Sequence, residues 1–255
     1  RAMTNVERHQ YILKQLKEVG VVQVIDLCEE LGVSSVTIRK DLTLLEDSGL
    51  LFRTHGGATQ YNPYTTDRTV FEKEKLRSDD KSRIGKKAAE MIEENDSIII
   101  ASGTTMQSLA KQIVPKGNIT VVTSALNVAM ELIKYPSVEI MQMGGTLRKT
   151  STSVTGKYAE NLLQDFYCSK LFLGVDGIDL EYGVSTSSAQ EAQLNRIMID
   201  TAQKVVVLAD SSKFGRRSFG RICGFDKIDI LITDDKVNTS FVESLEKAGV
   251  NVIVV

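Results

Sequence analysis

Seven short runs of apolar, mostly β-branched residues recur from residue 97 to the end of the chain: "SIIIA", "ITVVT", "VEIMQM", "KLFLGV", "KVVVLA", "DILIT" and "NVIVV". Between most of them lie segments of helical spacing, "TMQSLAKQI", "ALNVAMELI", "KYAENLLQDF", "AQEAQLNRIMIDTA" and "SFVESLEKAG". A strand that is apolar along its whole length needs cover on both faces, and alternating strands and helices supply that cover in a parallel sheet. Residues 81–255 are therefore predicted to form one α/β domain with a mostly parallel sheet. A chain of 255 residues leaves room for a second, smaller domain ahead of it.

That smaller region, residues 1–57, has a different rhythm. "NVERHQYILKQLKEVG" and "QVIDLCEELG" carry apolar residues at helical spacing, and each ends in glycine. After the short link "GVSS" a third helix runs to Ser48-Gly49, and "LLFRTHGGA" gives a strand and turn suited to a wing. Two helices joined by a tight glycine-containing turn form a helix-turn-helix. At about 100° per residue, Ile38, Leu42 and Leu45 share the inward face of the third helix. Val36, Lys40 and Thr43 point away, with Arg39 on the flank, Ser35 in the first turn, and Ser34 or Ser35 as N-cap.

Such a face suits the major groove, which a recognition helix enters by its N-terminal residues. Arg39 or Lys40 would pair with guanine and Val36 would touch a thymine methyl, while Thr37 and Arg53 would hold phosphates. With Ser35, Thr43 and His55 these make up the candidate DNA contacts. Bulk charge gives no support: the chain carries −2, and residues 1–57 hold seven Lys/Arg against eight Asp/Glu. The cations must therefore be concentrated on one surface. The competing reading is a plain amphipathic helix with a solvated Arg-Lys pair.

"LCEELGVSSVTIRKDLTLLEDSGLLFRTHGGA" resembles the winged helix-turn-helix signature of the DeoR family of bacterial transcription regulators. The likeness covers more than thirty residues. Lys40 stands where that family usually has a second arginine, which keeps the charge but loses a guanidinium fork. Gly56 and Gly57 fit a tight turn that needs positive φ. The resemblance implies double-stranded operator DNA as partner and a homo-oligomer, dimer or tetramer, matched to paired half-sites.

In the larger domain, polar residues gather where strands should end. "IIIASGTTMQSLA" is a strand, then Ser102-Gly103-Thr104-Thr105, then a helix, a junction that offers free N–H groups and a positive dipole end to an anion. "VVTSALNVA" repeats it with Ser124 and Asn127. "MQMGGTLR" ends in Gly144-Gly145, "LFLGVDGID" in Asp176-Gly177, and "VVLADSSKFG" in Asp210 and Lys213. Ligands of open α/β sheets bind outside the carboxyl ends of the strands, so a polyol phosphate is the natural candidate. Lys213 would meet the phosphate or a carbonyl, and Asp176 the hydroxyls.

This region too, over residues 75–255, resembles the DeoR effector domain, whose fold is similar to ribose-5-phosphate isomerase. The resemblance implies a phosphorylated sugar or related metabolite as effector. It departs at Ala101, where the family commonly has aspartate. The alternative is a sugar-phosphate isomerase-like enzyme with an accessory helical domain. Glu191 resembles the position of the isomerase's base, but the loop "LEYGVSTSSAQEA" lacks the isomerase's lysine. Binding without turnover is the better reading, with no catalytic residues.

Residues 58–80 read as a connector, with Pro63 and a charge run, "FEKEKLRSDDKSR", typical of a solvated helix face. Arg1-Ala2 before Met3 look like an expression remnant. Cys28, Cys168 and Cys223 have no C-x-x-C spacing and only His9 and His55 accompany them, so reduced thiols are expected and neither metal nor cofactor. No apolar run reaches the roughly 20 residues a bilayer requires, and no signal-peptide pattern opens the chain. A cytoplasmic location with no membrane association follows as the expectation.

Overall fold

The computed structural model describes residues 3–60 and 69–255. Pro63, with the rest of 61–68, and Arg1-Ala2 lie outside the described residues.

Three helices form first: α1 (Asn5–Val19), α2 (Val24–Leu31) and α3 (Ser35–Asp47). Gly20 and Gly32 end the first two in left-handed geometry (φ 82° and 63°), which only glycine adopts without strain. Ser34 caps α3, its hydroxyl accepting from Thr37 N at 3.3 Å. Ile38, Leu42 and Leu45 turn inward as their spacing predicts, onto Ile12, Leu16 and Leu27. Strands β1 (Val21–Gln23), β2 (Phe52–Thr54) and β3 (Gly57–Thr59) make the wing, in the order β1-β3-β2. Gly56 has the predicted positive φ of 97°. Gly57 does not: it is glycine because a Cβ there would sit 2.0 Å from Val22 O of the paired strand. Ala58 and Thr59 are buried wing residues, so the sheet extends past 57 into what reads as connector.

Helices α4 (Val70–Glu74) and α5 (Ser78–Ala89) follow. Seven parallel strands then build one sheet: β4 (Ser97–Ile100), β5 (Ile119–Thr123), β6 (Val138–Gln142), β9 (Cys168–Gly174), β12 (Ala202–Leu208), β14 (Ile230–Thr233) and β15 (Asn251–Val254). Each of the seven apolar runs supplies one strand. Side chains alternate between two cores. Ile98, Ile100, Phe172, Val206 and Leu208 face α5, α6 (Thr104–Gln112) and α7 (Leu126–Leu132). Ile99, Leu171, Leu173, Val205 and Val207 face α8 (Lys157–Leu163), α9 (Ala189–Asp200) and α10 (Thr239–Lys247). Fully burying one such side chain contributes about 1.5–3 kcal/mol. That two-sided burial explains why these strands read as unbroken apolar runs.

Two short antiparallel additions sit on the sheet: a hairpin of β7 (Thr146–Arg148) and β8 (Ser153–Thr155), and a three-stranded unit of β10 (Gly177–Asp179), β11 (Gly183–Thr186) and β13 (Gly220–Cys223). The strand order is β15-β14-β12-β9-β4-β5-β6. From β4 the chain winds one way through β5 and β6. From β9 it winds the other way through β12, β14 and β15. The reversal falls between β4 and β9, and such a switch point opens a crevice at the strands' carboxyl ends.

Candidate anion pocket and nucleic-acid interface

A pocket occupies that crevice. Its walls are Ser102–Thr105 after β4, Gly174–Asp176 after β9, Lys213 after β12, Glu191 and Asn195 on α9, Thr186 on β11, Thr150 and Ser151 in the β7–β8 turn, and Val70 and Lys73 on α4. Gly103 (φ 123°, ψ 165°) adopts a conformation essentially reserved for glycine, and its carbonyl begins α6 by accepting from Gln107 N at 3.0 Å. The first turn of α6 thereby presents N–H groups that have no partner within the helix.

Asp176 is the electrostatic centre. One carboxylate oxygen lies 3.1 Å from Lys73 Nζ and 3.7 Å from Lys213 Nζ; the other accepts from Thr186 Oγ1 at 3.0 Å and Ser187 N at 3.2 Å. Burial alone pushes this carboxyl up, but the charges of Lys73, Lys213 and Arg216 overcome burial and hold it far below the usual carboxylate range. Asp210, also buried, is depressed in the same way by Lys213, Ser212 and Arg77. Glu191 lies on the other side of Thr186, whose Oγ1 is 3.5 Å from its Oε2, with Oε1 3.4 Å from the hydroxyls of Ser102 and Ser153 and 3.7 Å from Arg148 Nε. The pocket thus combines ammonium groups with a carboxylate set among hydroxyls and a guanidinium. A phosphorylated polyol needs both.

Of the residues singled out in the sequence, Ser102, Gly103, Thr104, Thr105, Asp176, Glu191 and Lys213 meet in this pocket. Ser124, Asn127, Gly144, Gly145 and Gly177 do not line it. The first four follow β5 and β6, one and two strands beyond the switch point. Ser124 is buried and its carbonyl accepts from Val154 N, while Asn127 donates to Gln107 Oε1 at 3.2 Å. A Cβ at Gly145 would fall 2.6 Å from Thr155 O, and one at Gly177 2.6 Å from Arg216 O, so close backbone packing accounts for both glycines. Ala101 is packed into the core rather than aimed into the pocket. Asp179 is buried in the β10–β11 turn, held by Glu181 N, Tyr182 N and Arg217.

Lys73, Thr150, Ser151, Thr186, Asn195 and the neighbouring Arg148 are pocket groups that strand-end reasoning did not reach. Lys73 belongs to the charge run read as a solvated face. That reading fails along much of the run: Asp80 and Lys81 are buried, and Arg77 donates to Ser211 Oγ at 2.9 Å. These side chains are matched to charges on the sheet's rim, not to water.

On the other domain, Arg39 and Lys40 are exposed, and Val36 is 72% exposed, an apolar side chain left in solvent on the outer face of α3. Thr43 Oγ1 donates to Arg39 O at 2.9 Å and accepts from Arg53 Nη1 at 3.1 Å, which ties the wing to the helix. Thr37 is half-buried beside Ser34. Ser35, Arg39 and His55 border a cleft shared with Asp179, Glu181 and Phe214 of the larger domain. Asp41, within the same motif, faces inward and is gripped by Arg8 (2.8 and 3.1 Å) and His9 (3.1 Å).

The DeoR-like helix-turn-helix domain matches residues 8–63, and the DeoR C terminal sensor domain matches residues 76–235. The chain belongs to the DeoR family. A protein of Escherichia coli O157:H7 assigned to the aga operon as its transcriptional repressor is 41% identical over 98% of this chain and 93% of its own. The regulator GlpR of Haloferax volcanii is 35% identical over 98% of each chain, and the repressor GlcR of Bacillus subtilis 33% over 99% and 97%. A partial superposition on ribose 5-phosphate isomerase A from Neisseria gonorrhoeae covers 54% of this chain and 53% of that one, at TM-score 0.40 and 18% identity. The DeoR-family chain is a DNA-binding transcription regulator, and its family is not one of enzymes. Among the described residues no helix is long and apolar enough to cross a membrane, and no group of three or more His, Cys, Asp or Glu is placed to hold a metal ion.

Proposed function

We propose that this regulator represses a sugar-metabolism operon and leaves its operator when a phosphorylated sugar fills the switch-point pocket. The winged helix through Thr59 would read double-stranded DNA, the following segment to residue 80 connect, and 81–255 sense and oligomerise. Ser35, Val36, Thr37, Arg39, Lys40, Thr43, Arg53 and His55 would contact DNA. Ser102–Thr105, Asp176, Glu191 and Lys213 would contact the effector. The observation that carries this reading is convergence: groups from β4, β9 and β12, scattered over more than a hundred residues, meet in one pocket that holds both ammonium groups and hydroxyls. Relatives named for repression of the aga operon and of a lactose phosphotransferase system support a sugar-linked target.

Function as a dimer or tetramer in the cytoplasm is part of the same reading, because paired half-sites need paired heads. Effector would shift the population between operator-competent and incompetent arrangements, by no more than its differential affinity for the two. The test joins two measurements. Duplexes enriched from a random library by the full-length protein give the operator, and a thermal-shift screen of phosphorylated against free sugars gives the effector. Arg39→Ala should abolish operator binding and keep the effector's shift; Lys213→Ala should do the reverse. Equal damage to both activities by both variants would refute the two-site reading.

A further inference from the structure

Lys73 and Lys213 meet Asp176 in the pocket, and behind them Arg77, Lys81 and Arg216 crowd Asp176 and Asp210. Lys73, Lys81, Lys213 and Arg216 all act on Asp176 or Asp210, or on one another. Lys81 is 3% exposed, Asp210 2%, and Arg216 Nε is buried without a hydrogen-bond partner. Buried charge is costly unless balanced, and here the cations around Asp176 and Asp210 outnumber those two carboxylates. Glu191 does not balance them, since it is engaged with Arg148 and hydroxyls. A phosphate monoester carries about −1.5 to −2 at neutral pH and brings negative charge to a place where cations are in excess.

Lys73 stands on α4, in the segment between the two domains, and several contacts fix that helix in place. Thr69 caps α4, with Glu72 closing a capping box. Val70 N donates to Thr150 O at 2.6 Å, Glu74 pairs with Lys111 on α6 at 3.0 Å, and the buried Lys81 donates to Lys73 O at 2.6 Å. The helix is thus pinned over the pocket at both ends and from below, with one ammonium directed in.

We propose that Lys73 is a direct ligand of the effector's phosphate, so that the interdomain segment forms part of the binding site. This rests on the effector-pocket reading above and adds its anchoring point. In the described arrangement Asp176 occupies the Lys73 ammonium; a phosphate entering beside it takes a share of Lys73 and Lys213 and neutralises the cluster. The chain between wing and sheet then responds to occupancy directly, without a signal crossing the core.

Calorimetric titration of the full-length protein with inorganic phosphate tests this, with circular dichroism to verify folding. Lys73→Ala should weaken phosphate binding about tenfold or more, the worth of one charge-assisted hydrogen bond. Lys73→Gln, which keeps the side chain's length, should do the same. Lys73→Arg should stay close to wild type, as should Lys75→Ala on the exposed side of the same segment. If Lys213→Ala loses phosphate while Lys73→Ala and Lys73→Gln keep it, the lysine assignment is overturned and the pocket stands. If none of the variants weakens phosphate, or wild type binds none, the anion site itself is overturned.

Discussion

At the scale of single residues, two groups show how a motif's chemistry divides between fold and function. Asp41 follows the outward-facing Lys40 in the middle of α3, yet its own side chain is buried. Burial pushes its carboxyl up, yet the hydrogen bonds and charges of Arg8 and His9 win and hold it below the usual range. Asp41→Asn would leave the Arg8 guanidinium buried without its counter-charge and should cost about 3–5 kcal/mol in denaturant unfolding. A loss below 1 kcal/mol would mean water already screens the pair. Lys81 behaves oppositely. Burial, then the charge of Lys213, lower it from 10.5 to about 8, partly offset by Asp210. Since folding lowers this pKa, the unfolded chain binds more protons between pH 8 and 10.5, and stability should rise with pH across that window. Melting curves of wild type minus Lys81→Met isolate the effect from Cys223, whose thiol burial pushes up to about 11. Saturating inorganic phosphate should flatten the slope by favouring the charged lysine; an unchanged slope would place the anion elsewhere.

Elements were legible where burial wrote a long pattern and obscure where contacts did the work. The seven parallel strands show as continuous apolar runs because both faces are covered, and α3 shows its inward face at helical spacing. β7, β8 and β10 are only three residues each, too short for any period, and exist because each has a partner strand in register. The pocket divides the same way. Ser102–Thr105 and Asp176 are visible because a strand visibly stops there. Lys73 is not, because its partner is 103 residues away and a run of mixed charge looks the same whether water or an opposing rim meets it. Ser124 and Gly144 follow strands just as Ser102 does, and only the strand order separates them. The β4–α6 junction therefore carries a sharp expectation. Nothing lies within 4 Å of a Cβ at Gly103, so Gly103→Ala creates no clash, only backbone strain. It should lose about 1–3 kcal/mol of stability and weaken the thermal shift from effector. A neutral result would show the turn can rearrange and has no fixed role in the site.

At the scale of the whole molecule the proposed function requires that a filled pocket be felt at α3. One route is the segment bearing Lys73; the other runs through the residues just after Lys213. Gln23, the N-cap position of α2, donates from Nε2 to Phe214 O at 2.6 Å, and His55 at the wing turn stands 3.9 Å from Asp179. A Cβ at Gly215 would lie 2.9 Å from His55 O, so glycine lets the wing approach this closely. Phe214 is adjacent in sequence to a pocket lysine and bonded to a DNA-domain side chain at once. Coupling between two sites requires an element whose arrangement both sites bias, and this contact is the candidate that the next variant tests. Gln23→Ala should leave effector affinity of the free protein near wild type. It should pull the factor by which effector weakens operator binding, about 5–150-fold in allosteric proteins generally, toward one. Because linkage is reciprocal, operator DNA should weaken effector binding by the same reduced factor, so measuring it from both directions checks the result. An undiminished factor in Gln23→Ala would shift the whole burden of communication onto the Lys73 segment, and Lys73→Ala alone, measured at effector concentrations that saturate it, should then bring the factor to one.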